Sequence, residues 1–293
     1  MMEKIQQFAS PAAGNGSPKP WALQRLPVFP AVASRLVTMV SQEDASFRKV
    51  ADLIGRDTGL TADLMRLANS PLIGLRLEIR SVLRAISVLG VSRVKTLAMT
   101  IALRNFALPA AGSEVFKECW RHSLACAFSC EELAAACSRD KDEGYTAGLM
   151  HDIGRLALLA AYPEEYSAMV KLAREQQKDL MQAERDTFEV DHCFAGGKLL
   201  REWKFPAEIC EAAQMHHIPP DPARFGISQL VHAGCQMANM LGFQMAGSHR
   251  EWDVAEILAV IPSTSRKSLK EKSEGLGLRI LDKINSTECS LMF

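Results

Sequence analysis

The chain has no surplus of charge of either sign: 34 lysines and arginines meet 34 aspartates and glutamates, and the formal net charge is zero. A surface without a net field gives little purchase to a nucleic-acid backbone or an acidic membrane face, so neither partner is expected. Long apolar runs are missing too. TLAMTIALRNFALPAA is cut by Arg104 and Pro109 before it could span a bilayer. The start, MMEKIQQFASPAAGNGSPKP, lacks the apolar segment of a signal peptide. Eight cysteines (119, 126, 130, 137, 193, 210, 235 and 289) include no CxxC pair of the zinc-binding or redox type. They are expected as small core hydrophobes with reduced thiols, in a cytoplasmic protein. No run alternates long enough to make a strand, and no repeat of fixed period is present.

What remains is helical pattern. With 293 residues and 48% apolar content, the chain can bury one large core or two modest ones. Residues 1–22, rich in Ser, Gly, Ala and Pro, read as a flexible lead-in. Pro30 then opens AVASRLVTMV, where Val32, Leu36, Val37 and Val40 share a face. Ser46 is placed to cap FRKVADLIGRD, and Gly59 separates that segment from LTADLMRLANS. SVLRAISVLG and VSRVKTLAMTIALRNF each enter on a serine, with Gly90 stopping the first. SEVFKECWRHSLACAFSCEELAAACS reads as one long helix and YTAGLMHDIGRLALLAAYP as an apolar one. EEYSAMVKLAREQQKDLMQAERDTF is amphipathic; HCFAGGKLLREWKF, AEICEAAQMHH and ISQLVHAGCQMANMLGF follow. From Trp252 onward a peripheral helical tail is expected. The fold class is all-α.

Chemistry is carried by spacing among the histidines. Glu118 and His122 stand four apart on the long helix, a spacing that suits a chelating pair or a surface ion pair equally. His151–Asp152 lies in apolar surroundings, where both side chains incur a desolvation cost unless paired. Arg155, three residues on, could supply the partner; so could a cation held by both side chains. His192 follows Asp191, which could cap the helix or orient the imidazole. His216–His217 end a helix, a position that suits either the helix dipole or metal ligation. Adjacent side chains there diverge by roughly 100°. His232 and His249 show no partner and read as structural or exposed.

In this order, His122, His151–Asp152, His192 and His216–His217 resemble the HD superfamily of metal-dependent phosphohydrolases. LPVFPAVASRLVTMVSQEDASFRKVADLIGRDTGLTADLMRLANS, then IRSVLRAISVLGVSRVKTLAM, narrows the resemblance to the HDOD family, the HD-related output domain of bacterial signalling proteins. AERDTFEVDHCFAGGKLLREWKFP followed by AAQMHH is similar to the same family. The resemblance implies an HDOD domain over 23–245, with an N-terminal helical bundle (23–108) packed on an HD-like bundle (109–245), and a tail over 246–293. It also implies that Glu118, His122, His151, Asp152, His192, His216 and His217 occupy ligand positions for one or two transition-metal ions, iron, manganese or zinc. Imidazoles with a carboxylate suit such ions better than magnesium or calcium.

Three departures matter. Arg155 stands where HDxGK carries lysine, and Cys235 stands where a final aspartate is usual, as a core cysteine or a soft-metal ligand. IPPDPARFG replaces the GYP tract that accompanies cyclic-di-GMP hydrolysis. Family members are mostly regarded as non-enzymatic, so the favoured expectation is a signal-transduction module that binds protein partners non-covalently. The alternative is a phosphohydrolase acting on a nucleotide or other phosphoester. Asp152 and Arg155 would then be catalytic, with Lys198 and Arg201 adding charge.

Overall fold

A computed structural model describes residues 20–40, 47–218, 225–245, 254–272 and 274–291. Among them every regular element is a helix. After a 3-10 turn at Trp21–Gln24, the first part comprises α1 (Ala31–Val40), α2 (Phe47–Gly55), α3 (Thr58–Ala68), α4 (Val82–Leu89) and α5 (Val91–Phe106). The second comprises α6 (Glu114–Ala136), α7 (Lys141–Met150), α8 (Ile153–Ala161), α9 (Pro163–Glu175), α10 (Leu180–Phe188), α11 (His192–Glu202), α12 (Ala207–Met215) and α13 (Ile227–Ala238). A π turn at Asn239–Phe243 precedes α14 (Val254–Ala259), α15 (Ser263–Lys272) and α16 (Leu276–Leu291). No described helix is long and apolar enough to cross a membrane.

Local chemistry sets the helix starts. Asp57, Ser81 and Ser113 accept from the backbone N–H groups of Leu60, Arg84 and Phe116. α5, however, does not enter on Ser92. It starts from Gly90, whose φ of +84° turns the chain between α4 and α5 while its N–H donates to Ile86. Ser46, expected as a cap, lies outside the described residues.

Aromatic packing joins the two parts. Phe29 stacks on Trp203 at 4.2 Å between ring centroids, and Phe106 meets the same indole edge-on at 5.3 Å. Thr100 and the Tyr145 hydroxyl, 3.0 Å apart, tie α5 to α7. The last residues of the expected flexible lead-in are docked: Trp21 packs on Tyr162 and Phe188, and the Tyr162 hydroxyl donates to the Ala22 carbonyl. Residues 1–19 lie outside the described set.

Nor is the C-terminal segment merely peripheral. α16 lies against both α6 and α3 and buries Ile280, Ile284 and Leu291. The Lys283 ammonium bonds Glu131 at 2.8 Å and Glu132 at 2.9 Å. The sequence pattern misled here because α16 mixes its apolar residues with polar ones that contact α6.

Candidate metal centre

The apolar stretch read as one helix is two. α7 ends at Met150, His151 and Asp152 form a turn, and α8 begins at Ile153. That break points the two side chains inward between α6, α11, α12 and α13. Two glycines permit the approach. A Cβ at Gly148 would come within 2.8 Å of the Cys126 carbonyl oxygen on α6. One at Gly154 would overlap the His192 carbonyl oxygen and lie 2.7 Å from the Gly196 nitrogen on α11.

Asp152 is the hub. Its Oδ1 lies 3.3 Å from His216 Nε2 and 3.4 Å from His192 Nε2. Its Oδ2 lies 2.9 Å from Arg155 Nε, 3.6 Å from His122 Nε2 and 3.7 Å from His151 Nε2. His151 and His192 are fully buried, and Asp152, His216, His122 and Arg155 nearly so. Of the candidate ligands around Asp152, His217 alone is exposed; its Nε2 lies 3.1 Å from that of His192.

Each buried imidazole is oriented through Nδ1. His122 Nδ1 donates to the Phe243 carbonyl (2.8 Å), His151 Nδ1 to Gly148 (2.7 Å) and His216 Nδ1 to Ala213 (2.9 Å). His192 Nδ1 donates to the Glu184 carboxylate at 2.6 Å. Carbonyls only accept, so these bonds fix the tautomer and leave Nε2 as a lone pair. Yet His122 Nε2 and His151 Nε2 face each other at 3.2 Å. Two lone pairs at that distance repel unless a proton or a cation stands between them. Burial holds both imidazoles below their ordinary range, against the Asp152 charge, so a proton is not retained there. Asp152 Oδ1 and His216 Nε2 find no hydrogen-bond partner among the described residues. The donor set fits a cation.

In the other half the imidazoles bind protons more readily, so a cation there competes with protons for Nε2. Burial and Arg155 pull His192 down, but Cys193, Glu184 and Asp152 outweigh them and lift it to about 10. Burial likewise lowers His216, while Cys193 and Asp152 raise it to about 9. Burial pushes the Asp152 carboxyl up, but Arg155, His151 and His192 hold it well below the usual carboxylate range.

Of the sequence-derived candidates, His122, His151, Asp152, His192, His216 and His217 come together, with Arg155 beside them. Glu118 does not. Its carboxylate bonds Arg174 of α9 at 2.8 Å near the surface. Four residues of helix advance roughly 6 Å along the axis, and the nearby guanidinium takes the carboxylate. Lys198 pairs with Glu202 (2.6 Å) and Arg201 donates to Gln214 (2.9 Å). Asp191 caps α11 by accepting from the Phe194 N–H. His232, read as partnerless, is buried with Nδ1 donating to the His216 carbonyl at 2.8 Å. His249 lies outside the described residues.

Sequence reasoning missed Glu184 and Cys193. Glu184 sits on another helix, eight residues before His192, and nothing local marked it. Cys193 adjoins His192, and that adjacency was the available signal. Glu184 also accepts from the His192 N–H (2.9 Å) and the Tyr166 hydroxyl (2.6 Å), so its orientation is fixed. Glu184→Gln is expected to weaken metal binding by about 10–100-fold without removing a ligand. Zinc titration against a competing chelator measures this; unchanged affinity would show that Glu184 does not set the His192 imidazole.

The HDOD domain family matches residues 26–219, and the chain belongs to that family. In solved structures the fold is shared with an HDOD domain protein of unknown function from Geobacter sulfurreducens (23% identity, TM-score 0.74, covering 92% of this chain and 94% of that one). It is shared also with a candidate phosphohydrolase from Shewanella amazonensis SB2B (22%, TM-score 0.69, 90% and 98%). A third is a candidate signal transduction protein from Marinobacter aquaeolei VT8 (19%, TM-score 0.69, 98% and 64%). An uncharacterized protein of Treponema pallidum (strain Nichols) is 21% identical over 203 residues, 68% of this chain; the match spans 39% of that relative's length.

Proposed function

We propose that this chain is a signal-transduction module whose HD-type site holds a transition-metal ion in a structural or sensory role, with output through non-covalent contact with protein partners. The observation that carries the reading is the burial of the ligand set: His151 and His192 are 0% exposed and Asp152 1%. Catalytic metals keep an open coordination position, whereas structural sites are closed. A cavity of about 330 Å³ at the seam between the two parts, lined among others by Leu36, Met99, Asp142 and Phe205, includes none of these ligands. The Marinobacter neighbour's description as a candidate signal transduction protein agrees with this reading. The eight thiols, none of them in a disulfide, suit a reducing cytoplasm.

The description of the Shewanella neighbour keeps phosphoester hydrolysis as the second reading, with the exposed His217 as its way in. Lys198 and Arg201, the expected phosphate-binding charges, are engaged elsewhere. Arg155 is buried between Asp152 and Glu184. Metal-loaded protein is therefore expected to be inert against a panel of phosphodiesters, phosphomonoesters and nucleotides. Hydrolysis that disappears in Asp152→Asn would replace the regulatory reading with the enzymatic one.

A further inference from the structure

Resting on the metal reading above, we infer that Cys193 and Cys235 are metal ligands, which makes this a mixed sulfur–nitrogen site suited to zinc or iron rather than manganese. Three groups of donor atoms, each lying within 4.8 Å of one another, run through the cluster: His122, His151 and Cys235; His151, Asp152 and His216; His192, Cys193, His216 and His217. His151 is common to the first two groups and His216 to the last two. Asp152 therefore lies between two sulfur-bearing ends.

Both thiols are placed as donors. Cys235 Sγ lies 3.7 Å from His122 Nε2, the nitrogen that faces His151. One S–H cannot satisfy the lone pairs of both imidazoles. Cys193 Sγ lies 3.4 Å from His192 Nε2 and 3.9 Å from His216 Nδ1. A second observation points to a ligand: the buried Asp152 Oδ1 and His216 Nε2 lie 3.3 Å apart, neither with a hydrogen-bond partner among the described residues.

Ligation of either thiol exchanges its S–H bond for a metal–sulfur bond and sends the proton to solvent. Thiolate is a soft donor, which favours zinc and iron over the harder manganese ion.

The test is cobalt(II) and zinc loading of the full chain. Cobalt-loaded wild-type protein is expected to show near-ultraviolet thiolate-to-cobalt charge-transfer absorption. Cys193→Ser and Cys235→Ser should each lose part of the band, and the double variant all of it. X-ray absorption of zinc-loaded wild-type protein should show scatterers at the zinc–sulfur distance of about 2.3 Å beside nitrogen or oxygen at about 2.0–2.1 Å. That spectrum stands even if a serine variant fails to fold. Bound metal with nitrogen and oxygen scatterers only, and no charge-transfer band, overturns thiol ligation and leaves the metal reading standing. Wild-type protein that takes up neither cobalt nor zinc overturns both.

Discussion

Asp152→Ala is expected to abolish tight metal binding and to destabilise the metal-free protein by about 3–5 kcal/mol, the cost of leaving a buried charge without its partner. The stranded group is Arg155. Its Nε lies 2.9 Å from Asp152 Oδ2, and the remaining carboxylate, Glu184, stands farther off at 3.6 Å. His192 and His216, both raised in part by Asp152, lose the same counter-charge. Asp152→Asn keeps the shape but removes the charge, so it should still lose metal while retaining more of the fold. Urea unfolding of chelator-treated protein reads the stability arm, and metal content reads the other. An Asp152→Ala midpoint equal to wild type would mean that Arg155 is solvated or paired elsewhere.

Gly154→Ala is expected to cost about 3 kcal/mol, the upper end of the usual overpacking penalty. It should empty the site as well, although residue 154 ligates nothing. The added Cβ meets backbone on α11, the His192 carbonyl oxygen and the Gly196 nitrogen, neither of which can rotate away. α8 and α11 must separate, and the His192 imidazole moves off Asp152. Gly59→Ala is the control: a Cβ there meets nothing nearer than Asp57 Oδ1 at 3.5 Å. If Gly154→Ala bound metal and unfolded like wild type, the close crossing of α8 and α11 would not be what positions His192.

Much of this was legible in the residues. The 3.6-residue periodicity marked the helices of both parts because most are buried on one face. The order of His122, His151–Asp152, His192 and His216–His217 marked the cluster. The i,i+3 spacing of Asp152 and Arg155 gave their ion pair, which coexists with the imidazoles around the same carboxylate. The break at His151–Asp152 was hidden because α8 is buried almost all round, and the apolar pattern runs through the turn. Glu118 misled because helical spacing says which residues are neighbours on a helix, not which way that face turns in the bundle. Glu184 reaches His192 through tertiary packing, which no local pattern encodes. Cys235 was marked as a core cysteine or a soft-metal ligand, but Cys193 was hidden by chemistry: a buried thiol reads as a core hydrophobe until its neighbours are known.

Whether the inward-facing Nε2 atoms around Asp152 hold a transition-metal ion is decided by elemental analysis of untagged protein, grown with iron, manganese and zinc available and never exposed to chelator. The prediction is one or two metal ions per chain, dominated by zinc or iron, and lost in His151→Ala. Wild-type protein free of metal, with His151→Ala indistinguishable from it in metal content and stability, would contradict it.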